Sequence, residues 1–165
     1  LLYVTGTLGL SNIGLLNLYK NDKKYSKAKL KYYLPQPRVN FAASVRNFVT
    51  SMIDISDGLS SELLHIAKSS KVSVKIYEDK IPIDYTVMNK AAELNLNPIF
   101  CALNGGEDYE LLFTIDQKEY SKLEKDPDFT IIGHVTDKSE GNFFISNDNQ
   151  AHELTAQGWD SLKSS

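Results

Sequence analysis

Residues 51–64, with the sequence SMIDISDGLSSELL, join an apolar, strand-like segment to a helix-like pattern. Ile53 and Ile55 favour an extended strand, whereas Leu59 and Leu63 recur at the spacing of one helix face. The chain is therefore predicted to pass from a strand into a helix within a few residues. This strand-to-helix turn constrains the fold more than any other feature of the sequence.

Three polar residues, Asp54, Ser56 and Asp57, lie on this turn. Residues two apart on an extended segment face the same side, so Asp54 and Ser56 are predicted to point together. Backbone N–H groups at a helix start attract phosphate oxygens, and Mg²⁺ binds through one or two carboxylates plus phosphate. The turn is a candidate metal and phosphate site. A structural alternative stays open, in which Ser56 or Asp57 caps the helix and Asp54 ends the strand.

A second candidate is segment 105–110, with the sequence GGEDYE. Its two glycines allow the backbone to approach a ligand closely, and its three carboxylates repel one another unless a cation is present. Strand alternation predicts that Glu107 and Tyr109 face one side and that Asp108 and Glu110 face the other. A solvated turn that leads into a strand is the alternative interpretation.

The composition narrows the class of protein. The 165 residues are 42% hydrophobic and 24% charged, which is typical of one soluble globular domain. A net charge of −3 argues against a nucleic-acid-binding protein, which usually carries a basic surface. The only cysteine, Cys101, excludes a disulfide framework and a cysteine-based zinc site, and favours a reducing, cytoplasmic compartment. No apolar run approaches the ~18 residues of a membrane span, so no membrane association is predicted.

Strand and helix patterns are intermixed along the chain without strict βαβ alternation. The predicted architecture is therefore a single α+β domain with helices packed on a mixed sheet. The strands are predicted at residues 1–4, around Ile53, and at 72–77, 111–115, 129–135 and 142–145. The helices are predicted after a Ser11 cap, at 39–49, at 58–69, after an Asp84 cap to 94, at 98–104 and at 116–125, with the lysine-rich segment 20–31 as a solvated face.

Two further features concern the chain ends. The sequence begins with Leu rather than Met and its first residues already have a strand pattern, so we expect the chain to be part of a longer protein. Trp159, the only tryptophan, lies near the other end. It either closes the core or stacks on a flat or cationic ligand. The histidines show no metal-ligand spacing and no partner nucleophile, so no role is predicted for them.

Five segments resemble the C-terminal half of the thiamine-monophosphate kinase family, in matching order. This family belongs to the aminoimidazole-ribonucleotide-synthetase-like superfamily, and the likeness extends over nearly the whole chain. The segment DISDGL alone indicates the superfamily, whereas its combination with GGEDYELLFT indicates the kinase. The five segments are VTGTLGLSNIGL, LPQPRV, MIDISDGLSSELLHI, NGGEDYELLFT and IIGHVTD.

The resemblance implies an ATP- and Mg²⁺-dependent phosphotransferase that converts thiamine monophosphate to thiamine diphosphate. By motif position, Asp54 and Asp57 would bind magnesium, Ser56 would contact ATP, and Glu107 and Trp159 would contact the thiamine substrate. A carboxylate and an aromatic face are suitable partners for the cationic thiazolium ring.

The resemblance also implies that residues 1–165 form only the C-terminal domain. The family's N-terminal domain supplies further metal-binding aspartates, a glycine-rich nucleotide loop and the contact of a homodimer, and it is not part of this sequence. We therefore expect the chain alone to be nearly inactive. The chain departs from the family pattern at Leu10, where an aspartate is usual.

Two other functions remain open. One is a different enzyme of the superfamily, of the aminoimidazole-ribonucleotide or selenophosphate synthetase type. The other is a non-catalytic nucleotide-binding module. The GGEDYE segment and Trp159 favour the kinase over the other superfamily enzymes, and the non-catalytic module stays open.

Overall fold

The structure is a computed structural model that describes residues 1–18 and 23–156. These residues form one mixed sheet with helices on both faces. The strands are β1 (Leu2–Thr5), β2 (Val49–Asp54), β3 (Ser73–Tyr77), β4 (Leu111–Ile115), β5 (Phe129–Thr136), β6 (Phe143–Ile145) and β7 (Ala151–Glu153). The α-helices are α1 (Leu10–Leu16), α2 (Ser26–Tyr33), α3 (Val39–Val45), α4 (Leu59–Ser70), α5 (Tyr85–Glu93) and α6 (Pro98–Asn104). Short 3₁₀ helices cover Lys23–Tyr25, Glu78–Lys80, Gln117–Lys122 and Lys138–Glu140.

The strand order in the sheet is β2-β4-β1-β5-β3-β6-β7. Neighbouring strands are antiparallel except for β3 and β6, which run parallel. The sheet is therefore mixed, and the predicted α+β class is confirmed. Strand β1 lies between β4 and β5, so the segment between β1 and α1 emerges at the centre of the sheet.

Helix α4 covers the first face of the sheet. Its residues Leu59, Leu63 and Ile66 are buried at helical spacing and pack in one cluster with Val74 and Ile76 of β3. This is the face that the predicted periodicity assigned to the core. The helix begins immediately beyond the strand-to-helix turn, so its burial fixes where that turn lies.

An aromatic cluster covers the second face. Tyr3 of β1 stacks on Phe113 of β4 with ring centroids 5.4 Å apart. The ring centroid of Phe41 in α3 lies 4.2 Å from that of Phe129 and 5.6 Å from that of Phe113. Because Leu2 and Val4 point to the first face while Tyr3 points to the second, β1 is buried on both sides.

Several predicted boundaries were wrong. The helix predicted at 39–49 ends at Val45, because Val49 already pairs with Ile115 in the sheet. The segment predicted as an amphipathic helix at 116–125 is a 3₁₀ helix in which Tyr120 is exposed and only the following Leu123 is buried. Strand β7 was not predicted.

Two predictions of local environment were also wrong. Ser11 does not cap α1, since the N-cap is Gly9 in a left-handed conformation and Ser11 lies inside the helix. The lysine-rich segment is not simply solvated, because Tyr25 and Ala28 are fully buried where α2 meets α1. By contrast, the Asp84 cap and the boundaries of α6 and β4 are confirmed.

The described residues contain no helix that is long and apolar enough to span a membrane. This finding agrees with the absence of any long apolar run in the sequence.

Truncation of one core side chain tests the assignment of the first face. Leu63→Ala is expected to lower the free energy of unfolding by about 2–5 kcal/mol, because it leaves a cavity between α4 and the sheet. Urea denaturation measures this change. Ser69→Ala, at an exposed position of the same helix, should shift the value by no more than about 0.5 kcal/mol. Equal effects of the two substitutions would contradict the packing described here.

Candidate active site

The strand-to-helix turn presents its polar residues outward. Asp54 ends β2, Asp57 precedes α4, and both side chains are exposed, whereas Ser56 is half-buried. Ile55 between them is fully buried and anchors the turn in the core. The alternative in which Ser56 or Asp57 caps the helix is wrong, because the N-cap is Gly58 and no side chain caps it.

Two backbone N–H groups of this turn, those of Ser56 and Asp57, are already hydrogen-bonded within the protein. The carboxylate of Glu62 in α4 accepts hydrogen bonds from the N–H of Ser56 at 3.1 Å and of Asp57 at 2.8 Å. Glu62 is only 2% exposed. An acidic residue in the first turn of a helix is the signal that identifies it, because such residues reach back to unpaired N–H groups. Glu62 thus holds the turn in the conformation that exposes the two aspartates.

The GGEDYE segment lies directly against this turn. The N–H of Glu107 donates to the carbonyl of Ser56 at 2.8 Å, and the N–H of Tyr109 donates to Ile55 at 2.9 Å. In return, the N–H of Ile55 donates to the carbonyl of Glu110 at 2.8 Å. Two motifs about fifty residues apart in sequence thus form one continuous surface.

The predicted alternation within this segment is confirmed. Glu107 is exposed and Tyr109 half-buried, whereas Asp108 and Glu110 are 0% and 2% exposed. A regular strand does not produce this pattern, because Glu107 and Tyr109 have φ of 68° and 48°. Such left-handed backbone is unfavourable for residues other than glycine. The surrounding contacts must therefore hold it in place.

Asp108 is one of two inward anchors. Its carboxylate accepts hydrogen bonds from the N–H of Gly9 at 2.6 Å and of Ser11 at 3.1 Å, at the start of α1. Burial raises the pKa of Asp108 to about 6, although these two N–H donors partly oppose the rise. The anchor thus links the acidic segment to the turn after β1.

Glu110 is the second inward anchor and carries the densest set of contacts. Its carboxylate accepts hydrogen bonds from Thr5 at 2.6 Å, from Lys31 at 2.6 Å and from Arg38 at 2.8 and 3.0 Å. Burial alone raises the pKa of Glu110, but the bonds from Arg38, Lys31 and Thr5 outweigh it and hold the pKa below its usual value. The carboxylate therefore stays ionised and paired.

The turn after β1 is shaped around this carboxylate. A Cβ atom at Gly6, where φ is +56°, would lie 2.8 Å from the Glu110 carboxyl carbon. Only glycine fits there, because both the contact and the backbone conformation exclude a side chain. Gly6 therefore has a structural role in the turn after β1.

The outward groups are close enough to influence one another. The charge of Glu107 is the largest cause that raises the pKa of the Tyr109 hydroxyl, followed by burial, with smaller contributions from Asp54 and Asp57. Three carboxylates and one phenol therefore share a surface of negative potential. Such a surface attracts a cation.

The described residues contain no group of three or more His, Cys, Asp or Glu side chains arranged to hold a metal ion. Asp54 and Asp57 are thus an exposed carboxylate pair rather than a closed metal site. Mg²⁺ commonly binds to one or two carboxylates and completes its shell with phosphate oxygens and water. The pair therefore fits a metal that arrives with a phosphate ligand.

Trp159 and Leu10 were also singled out in the sequence. Trp159 lies outside the described residues, so its predicted contact stays a prediction. Leu10, where the resemblance places an aspartate, is buried and packs with Ile13 and Tyr25. The start of α1 nevertheless meets a carboxylate, which Asp108 supplies from the acidic segment.

Comparison with known families assigns the chain to one of them. A family model described as "AIR synthase related protein, C-terminal domain" matches residues 1–146. The chain belongs to this family.

The relatives of this AIR synthase-related domain include several thiamine-monophosphate kinases. The chain is 39% identical over 163 residues to the enzyme of Pyrococcus horikoshii, covering 99% of this chain and 50% of that protein. A solved structure described as AaThiL complexed with AMPPCP and TMP superposes with a TM-score of 0.83 at 30% identity, over 98% of this chain and 50% of the other. The chain thus spans about half the length of the curated relatives it matches.

A more distant structural neighbour confirms the fold alone. The Escherichia coli hydrogenase maturation protein HypE superposes with a TM-score of 0.72 at 19% identity. The fold of this domain therefore also occurs outside the thiamine-monophosphate kinases.

The buried carboxylate of Asp108 predicts a specific pH dependence. Its pKa of about 6 lies above the ordinary 3.8, so its contribution to stability is present below pH 4 and is lost as the pH rises to 6. The stability of the wild type relative to Asp108→Asn should therefore fall by roughly 2–3 kcal/mol across this range. Urea denaturation between pH 3.5 and 7.5 measures the difference.

Asp116 provides the matched control for this prediction. Hydrogen bonds with Lys118 lower the pKa of this exposed carboxyl. The stability of the wild type relative to Asp116→Asn should therefore rise with pH. A pH-independent difference for Asp108→Asn would contradict the described environment of Asp108.

Proposed function

We propose that the protein carrying this domain is a thiamine-monophosphate kinase, which transfers the γ-phosphoryl group of ATP to thiamine monophosphate. The pairing of Glu107 N–H with the Ser56 carbonyl at 2.8 Å carries the proposal. This contact joins a turn suited to metal and phosphate to a segment suited to a cationic substrate. The family and the kinase relatives support the same reaction.

The residues of the surface divide into two groups in this proposal. Asp54 and Asp57 bind the metal that accompanies ATP, and Ser56 contacts the nucleotide from the turn between them. Glu107 contacts the thiazolium ring of thiamine monophosphate. The solved structure of AaThiL complexed with AMPPCP and TMP supports ATP and thiamine monophosphate as ligands.

Magnesium suits the exposed carboxylate pair of Asp54 and Asp57. When bound, the ion neutralises charge on the phosphate oxygens of the nucleotide. The two carboxylates hold it near the strand-to-helix turn, and Glu62 keeps that turn in place through its hydrogen bonds to Ser56 and Asp57. Phosphate oxygens and water would complete the coordination of the ion.

The acceptor in this reaction is already an anionic phosphate. The domain therefore needs no general base and contributes by positioning the two substrates and by balancing charge. Glu107 and its acidic neighbours attract the thiazolium cation, which would orient the acceptor phosphate toward a metal held by Asp54 and Asp57. The outward residues of the GGEDYE segment, Glu107 and Tyr109, thus act on the substrate rather than on the metal.

Further elements of the proposal come from the family resemblance. Trp159 lies against the thiamine substrate, and an N-terminal domain completes the nucleotide site and forms a homodimer. The domain comprises residues 1–165, and the protein acts in the cytoplasm.

The metal role predicts the behaviour of one carboxylate. In the full-length gene product, Asp57→Asn is expected to lower kcat by about 10²-fold or more, because charge stabilisation of the transferring phosphoryl group is lost. Steady-state kinetics with thiamine monophosphate and Mg²⁺–ATP measure this. Asp79→Asn, at an exposed position beyond β3, should leave kcat unchanged, and unaltered kinetics in Asp57→Asn would remove the metal role.

The chain by itself is expected to show little or no kinase activity. Phosphoryl transfer requires several metal and phosphate contacts at once, and this domain supplies part of them. A coupled assay of thiamine diphosphate formation by residues 1–165 tests this expectation. Robust turnover by the chain alone would show that the domain contains a complete site.

A further inference from the structure

Gly106 lies directly against the strand-to-helix turn. A Cβ atom at this position would lie 2.2 Å from the carbonyl oxygen of Ser56 and 3.2 Å from the Cα atom of Asp57. The φ of Gly106 is outside the left-handed region that favours glycine. A side chain at position 106 is therefore excluded by lack of space rather than by the backbone conformation.

The atom that a side chain at Gly106 would strike is also a hydrogen-bond acceptor. The Ser56 carbonyl accepts a hydrogen bond from the N–H of Glu107 at 2.8 Å, and the next bond joins the N–H of Tyr109 to the carbonyl of Ile55 at 2.9 Å. The missing side chain at Gly106 allows the two segments to approach this closely. The separation of the turn from the acidic segment is therefore set at Gly106.

The neighbouring Gly105 faces a different partner. A Cβ atom there would lie 2.3 Å from the carbonyl oxygen of Cys101 in α6 and 2.6 Å from the Cβ atom of Asn12 in α1. In both glycines the missing side chain leaves space that another part of the domain occupies. Neither glycine therefore opens room for a ligand on the side where its Cβ atom would lie.

Glu62 fixes the turn from its other side. One oxygen of its carboxylate, Oε1, accepts hydrogen bonds from the N–H of Ser56 at 3.1 Å and from the N–H of Asp57 at 2.8 Å. Ser56 is thereby held by two contacts, through its N–H by Glu62 and through its carbonyl by Glu107. A displacement of the turn would break one of them.

In the proposed reaction, the two segments carry opposite partners. Asp54 and Asp57 on the turn hold the metal with its nucleotide, whereas Glu107 on the acidic segment contacts the acceptor. An oxygen of the acceptor phosphate bonds to the γ-phosphorus of ATP while the bond from this phosphorus to the ADP oxygen breaks, so the two molecules must meet in line. A misplacement of about 1 Å costs on the order of 10²-fold in rate. The rate of transfer therefore depends on the separation between the two segments.

We propose that Gly106 and Glu62 are positioning residues, which set the distance between the donor nucleotide on the turn and the acceptor on the acidic segment. Gly106 sets how closely the two segments approach. Glu62 is only 2% exposed, so it acts on a ligand through the turn that it holds. This inference rests on the proposed kinase function and adds to it two residues that act through others.

The first test adds one methyl group at position 106. In the full-length gene product, Gly106→Ala is expected to lower kcat by about 10²-fold while both KM values change by less than about 3-fold, because each half of the site stays intact and their alignment is lost. Steady-state kinetics with thiamine monophosphate and Mg²⁺–ATP measure these constants. Calorimetric titration with Mg²⁺–AMPPCP and with thiamine monophosphate should give the dissociation constants of the wild type.

Gly133→Ala is the matched control. A Cβ atom at Gly133 would lie 2.0 Å from the carbonyl oxygen of Lys75, so this substitution introduces a similar conflict with a backbone carbonyl. The conflict lies between β5 and β3, outside the turn and the acidic segment. Gly133→Ala is expected to lower the free energy of unfolding in urea, as Gly106→Ala does, and to leave kcat unchanged.

Substitutions of Glu62 test the same assignment without a change at Gly106. Glu62→Ala removes the acceptor of both N–H groups and is expected to lower kcat by about 10-fold or more with unchanged KM values. Glu62→Gln keeps a side-chain oxygen that can accept these bonds, so it should keep kcat close to the wild-type value. Urea denaturation establishes that both variants are folded under the assay conditions. If Gly106→Ala does not fold, this pair of variants decides the question.

The contrary outcomes are distinct. Unchanged kcat in folded Gly106→Ala or in Glu62→Ala would overturn the inference. A raised KM with unchanged kcat would assign these residues to ligand binding and would overturn it as well. An equal loss of kcat in Gly133→Ala would do the same, because it would indicate lost stability alone. If the wild-type protein does not phosphorylate thiamine monophosphate, the proposed function itself fails, and the positioning inference with it.

Discussion

The buried carboxylate of Glu110 is the interaction on which the site depends. It joins three regions that are distant in sequence, since Thr5, Lys31 and Arg38 all donate to it. A carboxylate in the interior is stable as an ion only when cations and hydrogen bonds replace the lost water. Here they do so, and their arrangement sets the position of the β1 turn, the α2–α3 connection and the acidic segment relative to one another.

This network explains how an acidic segment with three carboxylates is tolerated. Asp108 and Glu110 turn inward and accept hydrogen bonds from other parts of the domain, whereas Glu107 stays outside. The three carboxylates therefore do not all lie on one side of the segment, which lowers the repulsion between them. Glu107 and Tyr109 remain outside in left-handed conformations, with φ of 68° and 48°. The inward anchors hold this unfavourable backbone in place, and Glu107 is thereby kept at the surface.

The site also depends on hydrogen bonds that run between its two motifs. The strand-to-helix turn and the acidic segment exchange backbone hydrogen bonds, and Glu62 accepts hydrogen bonds from the N–H groups of Ser56 and Asp57. These two N–H groups are therefore not available to a phosphate. The close approach of Gly106 to the Ser56 carbonyl allows the two motifs to form their shared bonds.

The sequence by itself determined the α+β class, the position of α6 and β4, and the two motifs, because periodicity and turn residues are local signals. Alternation also predicted that Glu107 and Tyr109 face the opposite side from Asp108 and Glu110, but not which pair is buried. Only the tertiary structure decided the partners of Glu110, the role of Glu62 and the end of α3 at Val45. It also placed Gly106 against the carbonyl of Ser56. These features depend on contacts between residues far apart in the chain, and local pattern carries no information about which distant segments meet.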